Sequence, residues 1–450
     1  MKRILAVFLV VLIAVLSISC KQEEPSVPTV SAPSSSVPVI NDKPSSPTPS
    51  KEQGSSSNIS STQVSRPEVQ PQPEQPIEPT PEPQPSEHEG HYCYSFLSDI
   101  QKVYYDVLHT AVDDMQTSWI VLGPKSENYG ADVAVARDAV ASDHPEIFWL
   151  PPYYMTAVGK DADGNPVTLM MFSNSAEISP AYLVSRGEKA YMEEELKVAA
   201  EEITSQVTSD DPFEIELQLH DLLCKRVEYI EDKGDPMIYT AYGALVNGKA
   251  LCEGYARAMQ LLLLSFGIET TTVTGMTEDE GHMWNAVKIN EKWYNLDVTW
   301  DDTSKDFISY EYFNITDAEI ALDHTIAKDY TEVFLKGDTQ GELFNIAKPD
   351  CSATDDGYFT RLGFVFTLNN TTELAHYIMA TNSDAVEIKF LDETVKEEFS
   401  KNYNKYIGEL NQEFILSDPE YTYYIERISI SSLCLKLYKA PTPPHRFPFV

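Results

Sequence analysis

Three residues in the second half of the chain have side chains that could together carry out nucleophilic catalysis: Cys252, His282 and Asp297. A thiolate is a strong nucleophile, and a neighbouring imidazole can move the proton that the reaction requires. A carboxylate that accepts a hydrogen bond from one imidazole nitrogen fixes the tautomer, so that the other nitrogen can face the thiol. The residue types therefore fit a Cys-His-Asp triad that attacks a carbonyl carbon, provided that the fold brings them together.

Cys252 is predicted to open a helix. Gly248 precedes it, an apolar run at residues 259–266 follows, and Gly267 is a natural stop. The positive end of a helix dipole lowers the pKa of a thiol, and backbone N–H groups there can point at a developing oxyanion. Taken alone, such a cysteine is more simply explained as a small buried core residue.

Three strands are predicted after this helix, at residues 269–274, 281–289 and 292–300. Asn290 and Glu291 form the turn between the last two strands. A symmetric two-residue turn places Trp284 opposite Asp297 on the neighbouring strand. Because side chains alternate between the two faces of a strand, His282 and Asp297 then lie on one face as diagonal neighbours, with backbones about 7–8 Å apart.

Each of these two residues also has an ordinary explanation when it is considered alone. His282 could be a hydrogen-bonded strand histidine, and Asp297 could be a solvated acid near a turn. A cysteine at the start of a helix and a turn that puts His282 and Asp297 on one face are predicted together. This combination favours a catalytic site over two unrelated structural residues.

The stretches GKALCEGYA (residues 248–256), GHMWN (residues 281–285) and WYNLDVTWD (residues 293–301) resemble the core of the bacterial transglutaminase-like superfamily. The resemblance is strong over about residues 239–302 and continues weakly to His324. In that family the cysteine opens a helix, the histidine starts a strand and the aspartate lies on the next strand. The resemblance implies a papain-like fold and acyl chemistry on protein or peptide amides. It leaves the reaction open, because members include cross-linkers, peptidases, amidases and inactive relatives.

Two aromatic residues are candidates for supporting roles. Trp284 shares the face of His282 and could shield the site from water, although strand packing explains it equally well. Tyr242, ten residues before the cysteine, could donate to an oxyanion, with a core or surface tyrosine as the alternative. The pair Asp301-Asp302 is interpreted as a solvated turn rather than a cation site. No close Cys/His pairs suggest zinc, so neither a metal nor a cofactor is expected.

The first twenty residues resemble a bacterial lipoprotein export signal. Two basic residues precede an apolar run at residues 4–18, which is too short for a comfortable membrane span, and small residues lead to Cys20. Ser17 stands where such signals usually have leucine, and ordinary cleavage near Ser19 is the alternative. We expect Cys20 to be lipidated, which would anchor the protein to the bacterial cell membrane on its extracellular or periplasmic side.

Residues 21–90 hold 15 of the 29 prolines and no Phe, Tyr or Trp. A segment without aromatic residues cannot bury enough apolar surface to offset the entropy of ordering. We therefore predict a disordered Pro/Ser/Glu-rich spacer, with a proline-rich docking ligand as the alternative. The formal net charge of −37 excludes nucleic acid and anionic headgroups as partners, because such a surface repels phosphates.

The expected fold class is α+β. We predict a papain-like core in which the nucleophile helix packs on an antiparallel sheet, with a flanking helical N-terminal region and a small C-terminal α+β unit. The predicted segments are a signal peptide (1–20), the spacer (21–90), an N-terminal α+β region (91–210), a transglutaminase-like catalytic domain (211–340) and an accessory unit (341–450).

Hydrophobic periodicity predicts individual elements in the flanking regions. An amphipathic helix has its apolar face at Phe96, Ile100, Val103, Val107, Ala111 and Met115. Further predictions are a short strand at residues 147–150, a hairpin around residues 163–165, and helices at 188–207 and 213–229. In the C-terminal unit, strands at 362–368, 385–391 and 421–438 flank a helical stretch at 393–409.

Two function classes remain at this point. The first is a cell-surface acyl-transfer enzyme that uses the Cys-His-Asp triad, as a protease or amidase or as a cross-linking enzyme. The second is a catalytically silent surface binding protein that keeps the fold. The oligomeric state is not indicated by the sequence.

Overall fold

The computed structural model describes residue 88 and residues 90–441, apart from residues 152, 174–181, 232–233, 279, 304–306, 336–342, 382 and 419. The predicted export signal, the lipidation site at Cys20 and the spacer up to residue 87 lie outside the described residues. In the part of the chain that is described, no helix combines the length and the apolar character needed to cross a membrane.

The N-terminal region combines three helices with a three-stranded antiparallel sheet in the order β1-β3-β2. The predicted hairpin around residues 163–165 is formed by β2 and β3, and the side chain of Asp161 accepts the backbone N–H groups of Asp163 and Asn165 in the turn. The elements are α1 (Asp99–Asp113), β1 (Ile120–Pro124), α2 (Tyr129–Asp143), β2 (Tyr153–Lys160), β3 (Pro166–Ser173) and α3 (Arg186–Thr204).

Helix α1 buries only part of the predicted face: Ala111 and Met115 are buried, and Ile100 and Val107 are partly buried. Phe96 and Val103 are exposed, whereas Tyr104 and Tyr105 are fully buried. The hydroxyl of Tyr104 lies 2.7 Å from the hydroxyl of Thr168 on β3, so the helix turns its aromatic side toward the sheet. Burying two tyrosines removes more apolar area from water than burying the smaller residues of the predicted face.

The predicted strand at residues 147–150 is wrong, because these residues form turns. Phe148 and Trp149 are nevertheless buried. The indole N–H of Trp149 donates to the carbonyl of Val112 at 3.0 Å, which ties this segment to the end of α1 instead of to a strand.

The middle of the chain contains a long buried helix, α6, and a four-stranded antiparallel sheet in the order β8-β7-β6-β9. The side chain of Asp211 caps the first helix of this part by accepting the N–H of Glu214 at 3.1 Å. The elements are α4 (Pro212–Arg226), β4 (Glu228–Tyr229), α5 (Ala241–Leu245), β5 (Lys249–Ala250), α6 (Cys252–Ser265), β6 (Thr270–Thr277), β7 (Glu280–Ile289), β8 (Lys292–Leu296), α7 (Val298–Asp301), α8 (Asp317–Ile320), β9 (His324–Ile326), β10 (Lys328–Asp329) and α9 (Tyr330–Leu335).

Helix α6 packs on the sheet as predicted, and its start is held against neighbouring backbone. The side-chain amide of Asn285 on β7 donates to the carbonyl of Ala256 at 3.0 Å. A Cβ atom at Gly254 would lie 2.5 Å from the carbonyl oxygen of Ile238, so only glycine fits at this approach. The helix ends before Gly267, whose φ of +72° suits a residue without a side chain.

The turn at Asn290 and Glu291 gives the predicted register, but β8 is shorter than predicted. Ile289 pairs with Lys292, and the ladder ends at Leu296 instead of continuing to Trp300. Asp297 ends the strand because its side chain accepts the N–H groups of Thr299 and Trp300 and thereby starts the short helix α7.

The C-terminal unit consists of helices packed on a four-stranded sheet in the order β12-β13-β15-β14. The predicted strand at 362–368 is shorter than predicted, since residue 362 ends α10 and only the two residues of β12 form a strand. The predicted helical stretch is two helices. Helix α11 was not predicted, and the predicted strand at 421–438 is a hairpin. The elements are β11 (Phe344–Asn345), α10 (Tyr358–Leu362), β12 (Val365–Phe366), α11 (Thr371–Ala380), β13 (Ala385–Phe390), α12 (Glu393–Lys401), α13 (Tyr403–Ser417), β14 (Tyr423–Ile430) and β15 (Cys434–Pro441).

Buried apolar side chains form a large cluster that runs from Cys93 to Ile346 and crosses the predicted boundary at residue 210. A second cluster, from Phe366 to Leu437, fills the C-terminal unit. The domain boundaries therefore stay predictions. The predicted α+β class is confirmed, with the helix that Cys252 opens lying on an antiparallel sheet, as in the predicted papain-like core.

Candidate active site

Cys252 is the first residue of α6 and is half-buried. The first hydrogen bond within the helix runs from the N–H of Tyr255 to the carbonyl of Leu251 at 3.1 Å. The N–H groups of Cys252, Glu253 and Gly254 therefore lie in the first turn, where an α-helix offers no carbonyl partner of its own. A substrate oxygen at this end of the helix would meet backbone donors beside the sulfur.

His282 and Asp297 are in direct contact. The Nε2–H group of His282 donates to Oδ2 of Asp297 at 2.6 Å, and both side chains are buried. Burial disfavours the charged imidazole, but the negative charge of Asp297, the hydrogen bond to it and the side chain of Cys252 together raise the pKa of His282 to about 10. His282 is therefore hydrogen-bonded to Asp297, and its pKa also responds to Cys252.

Asp297 is completely buried and accepts several hydrogen bonds. Its Oδ1 atom accepts the N–H groups of Thr299 at 3.0 Å and Trp300 at 3.3 Å, while Oδ2 faces His282. Burial alone would raise the pKa of this carboxyl. The charge and hydrogen bond of His282, with a further contribution from His324, instead hold the pKa well below its usual range.

Trp284 packs beside the histidine, on the predicted face. Its ring lies 6.0 Å from that of His282 with an interplanar angle of 25°, and its indole N–H donates to Asn295 at 3.0 Å. The ring of Trp300 also lies 6.0 Å from the ring of His282. Trp284 is 1% exposed, so these rings cover the histidine and reduce the access of water to it.

Tyr242 has a different partner from the predicted one. Its hydroxyl donates to Oε2 of Glu195 on α3 at 2.7 Å, and its ring packs on Phe148 at 4.8 Å. In place of an oxyanion contact, the residue links α5 to the N-terminal region.

Asp301 and Asp302 do not form the solvated turn that was predicted. Asp301 is fully buried, with Oδ2 lying 3.3 Å from Nε2 of His220 and Oδ1 accepting the N–H of Tyr312 at 3.0 Å. Asp302 accepts the hydroxyl of Tyr255 at 2.6 Å. The packing of α4 against α7, which is distant in sequence, supplies His220 and excludes solvent.

His324 was not predicted as a site residue, although the family resemblance ends on it. It begins β9, where it pairs with Thr277 on β6. Its Nε2 atom lies 3.2 Å from Oδ2 of Asp297, and its Nδ1 atom lies 2.6 Å from Oδ1 of Asp323. Strands β6 and β9 are separated by 46 residues of chain (residues 278–323). Hydrophobic periodicity describes single elements, so it could not predict this pairing.

His282, Asp297 and His324 are the one group, among the residues that the structure describes, with three ligand atoms close enough to hold a metal, all within 4.8 Å of one another. The oxygen of Asp297 and the nitrogen of His282 are only 2.6 Å apart. Two ligands bound tetrahedrally to one zinc ion would lie about 3.3 Å apart. The spacing is that of a hydrogen bond, so these residues do not fit a metal without rearrangement.

Five cysteines are described, and all are free thiols. Cys93, Cys224 and Cys434 are buried, and burial raises the pKa of each well above its ordinary value. Cys351 is also buried, and burial raises its pKa to about 12. Cys252 is therefore the most accessible thiol of the described part of the chain.

Comparison with known proteins gives a family match and several remote structural likenesses. Residues 198–298, which include Cys252, His282 and Asp297, match the Transglutaminase-like superfamily. No curated protein matches the chain. Solved structures with similarity to it are a TGase (13% identity, TM-score 0.23, 32% of this chain and 44% of that one) and a candidate cysteine protease from Cytophaga hutchinsonii (14%, 0.21, 32% and 61%). A third is a candidate protease from Parabacteroides distasonis (11%, 0.19, 32% and 39%).

The matched part of this chain spans less than two thirds of each of these structures. The family match covers α6, β6, β7 and β8, the elements that carry the cysteine and the histidine and lead into the aspartate. Over residues 198–298, this chain is therefore similar to the transglutaminase-like superfamily.

Proposed function

We propose that this protein is a cysteine-dependent acyl-transfer enzyme that acts on protein or peptide amides through Cys252, His282 and Asp297. The observation that carries the proposal is the position of His282. Its Nε2–H donates to the buried Asp297 at 2.6 Å, while the side chain of Cys252, at the start of α6, contributes to the raised pKa of His282. This is the arrangement that an activated thiol nucleophile requires.

The reaction would proceed in two steps. The sulfur of Cys252 attacks the amide carbonyl, the C–N bond breaks, and His282 gives its proton to the leaving amine. A thioester joins the acyl group to Cys252. Water or a second amine then attacks this thioester, His282 takes the proton of the incoming group, and the thiolate of Cys252 leaves. Asp297 orients the imidazole and stabilises its charged form throughout.

The acceptor determines whether the enzyme is a hydrolase or a transferase. The experiment is incubation of the full chain with a peptide library, with and without an added primary amine, followed by mass spectrometry. Cleaved peptides indicate a peptidase, loss of ammonia indicates an amidase, and amine adducts indicate transamidation.

Cys252→Ala is the negative control, and Cys434→Ala, which removes a buried thiol of the C-terminal sheet, is the matched control that keeps turnover. Unchanged peptides with wild-type protein, together with no preferential alkylation of Cys252, would favour the binding protein that keeps the fold without turnover.

We also propose that lipidation of Cys20 holds the enzyme at the outer face of the bacterial membrane, so that its substrates are wall or surface peptides. The sequence features of the first twenty residues support this location. Cys20→Ala should release the protein from the membrane fraction, and unchanged membrane association of this variant would contradict the anchor.

A further inference from the structure

A second histidine touches the carboxylate of the proposed triad. Nε2 of His324 lies 3.2 Å from Oδ2 of Asp297, the same oxygen that accepts from His282. The side chain of His324 is fully buried, and its ring lies 5.3 Å from that of His282 and 4.4 Å from that of Trp300. His324 has no role in the two reaction steps proposed above.

Asp323 fixes the other side of this histidine. Its Oδ1 atom lies 2.6 Å from Nδ1 of His324. Its Oδ2 atom accepts the hydroxyl of Tyr312 at 2.7 Å and the hydroxyl of Ser432. Ser432 belongs to the turn between β14 and β15, so the C-terminal unit holds Asp323 directly.

Both nitrogens of His324 therefore face carboxylate oxygens, which can only accept hydrogen bonds when ionised. An imidazole satisfies two such acceptors only when both nitrogens carry protons. Burial opposes the charged ring, but the hydrogen bonds to Asp297 and Asp323 raise the pKa of His324. The histidine thus stands as a cation between two carboxylates.

Two N–H groups reach each oxygen of Asp297. Thr299 and Trp300 donate to Oδ1, and the two histidines donate to Oδ2. A carboxylate held at both oxygens cannot rotate about its side-chain bonds without losing hydrogen bonds in a buried site. Of these four donors, His324 is the one that belongs neither to the proposed triad nor to helix α7.

We propose that His324 is a positioning residue that holds Asp297 in register with His282, and that the C-terminal unit secures it through Ser432 and Asp323. This inference rests on the proposed function, because it assumes that the geometry of His282 matters for the reactivity of Cys252. It assigns the C-terminal unit a role in the active site.

The test measures alkylation of Cys252 by iodoacetamide in the full chain at pH 7, with the labelled peptide identified by mass spectrometry. His324→Leu fills the space without donating, and it should slow labelling by roughly 10- to 100-fold, as expected when a catalytic group is misplaced by about 1 Å. His324→Gln keeps an N–H donor and should stay within about fivefold of wild type. His376→Gln, which changes an exposed histidine of α11, should leave the rate unchanged.

The serines at the hairpin turn give a finer pair of variants. Ser432→Ala removes the hydroxyl that donates to Asp323 and should slow labelling by about two- to fivefold. Ser431→Ala is the matched neighbour, because its hydroxyl donates to Glu311 at 2.5 Å and not to Asp323. Nitrogen NMR of the ring of His324 should show both nitrogens protonated at pH 7, and Asp323→Asn should leave only one protonated.

A role for His324 in folding alone would slow the Leu and Gln variants equally, or would leave both at the wild-type rate. Either outcome overturns the inference while wild-type Cys252 still labels rapidly. If wild-type Cys252 labels no faster than a thiol of the unfolded chain, the proposed function fails first. A thermal melt of each variant identifies any loss of fold.

Discussion

Two buried carboxylates, Asp297 and Asp301, lie at opposite ends of helix α7, and each faces a histidine. The distance is 2.6 Å between Asp297 and His282 and 3.3 Å between Asp301 and His220. The two pairs share burial, residue types and a helix. They differ in the groups around them, and this difference separates a site from a structural contact.

The pKa values of the two carboxyls shift in opposite directions, although burial alone would raise both. The charge of His282 and the hydrogen bonds of two histidines hold the pKa of Asp297 well below its usual range. Burial raises the pKa of Asp301 from 3.8 to about 7, although His220 and the N–H of Tyr312 counteract this effect. Asp297 therefore stays ionised at neutral pH, whereas Asp301 is partly protonated.

The surroundings of His220 explain the weaker pair. Its second nitrogen lies 3.2 Å from Asp221, so two carboxylates compete for one imidazole. Further acids crowd this region: burial raises the pKa of Glu216 to about 8 and that of Glu387 to about 7. Asp297 has the opposite arrangement, because two histidines, His282 and His324, donate hydrogen bonds to this one carboxylate. Close contact between Asp and His does not by itself identify a catalytic pair, since the number of donors and a nearby thiol also matter.

The largest effect is expected at Cys252, the half-buried thiol near the first pair. The thiol near the second pair, Cys224, is buried, and burial raises its pKa well above the ordinary value. Cys252→Ala should lower turnover by about 10⁶-fold, because no other group supplies the nucleophile. Turnover of the amide substrate found in the library experiment is the measurement. Residual activity above that of a blank would mean that another residue performs the chemistry.

Matched amide substitutions test the comparison itself. Asp297→Asn should lower turnover by about 10⁴-fold, because an amide in this position favours the wrong tautomer of His282. Asp301→Asn keeps an acceptor for Tyr312 and should change turnover by no more than about fivefold, the equivalent of one hydrogen bond. Equal losses in the two variants would show that the distinction between the pairs is incorrect.

The pH dependence of stability is a second test that should distinguish the Asp297–His282 pair from the Asp301–His220 pair. A carboxyl whose pKa is raised on folding binds more protons in the folded state, so Asp301 lowers stability as the pH rises from about 4 to about 7. A carboxyl whose pKa is lowered stabilises the fold above its ordinary value of 3.8, and Asp297 loses this contribution as the pH falls below it.

Urea unfolding from pH 3 to pH 8 measures both slopes. Asp301→Asn should flatten the curve between pH 4 and pH 7, where the full effect of Asp301 is roughly 3–4 kcal/mol. Asp297→Asn should flatten the acid limb instead. An Asp301→Asn variant whose stability curve keeps the wild-type slope between pH 4 and pH 7 would contradict the assignment of Asp301.

Local sequence signals predicted the contact between His282 and Asp297 because a two-residue turn determines the register of the two strands. The end of β8 was not predicted, since the side chain of Asp297 competes with the ladder for backbone N–H groups. His324 and the burial of Asp301 depend on packing between segments far apart in sequence. Periodicity carries no information about such contacts, whereas the family resemblance reached His324 without giving it a role.

The smallest effect is expected at Tyr242, which provides a carboxylate contact away from both Asp–His pairs. Its hydroxyl donates to Glu195 at 2.7 Å, and burial raises its pKa to about 12, with a further contribution from Glu195. Tyr242→Phe removes one hydrogen bond that joins α5 to α3, while the ring still packs on Phe148. The free energy of unfolding should fall by about 1 kcal/mol, and labelling of Cys252 should remain unchanged.

An oxyanion role for Tyr242 predicts the opposite pattern, with full stability and turnover reduced by about 10²-fold or more. Measuring both quantities on the same preparation decides between the two. Tyr403→Phe, at an exposed tyrosine of α13, controls for the loss of a tyrosine hydroxyl away from Glu195. Because the phenol of Tyr242 is already engaged by a carboxylate, we expect the change to appear in the unfolding curve and not in catalysis.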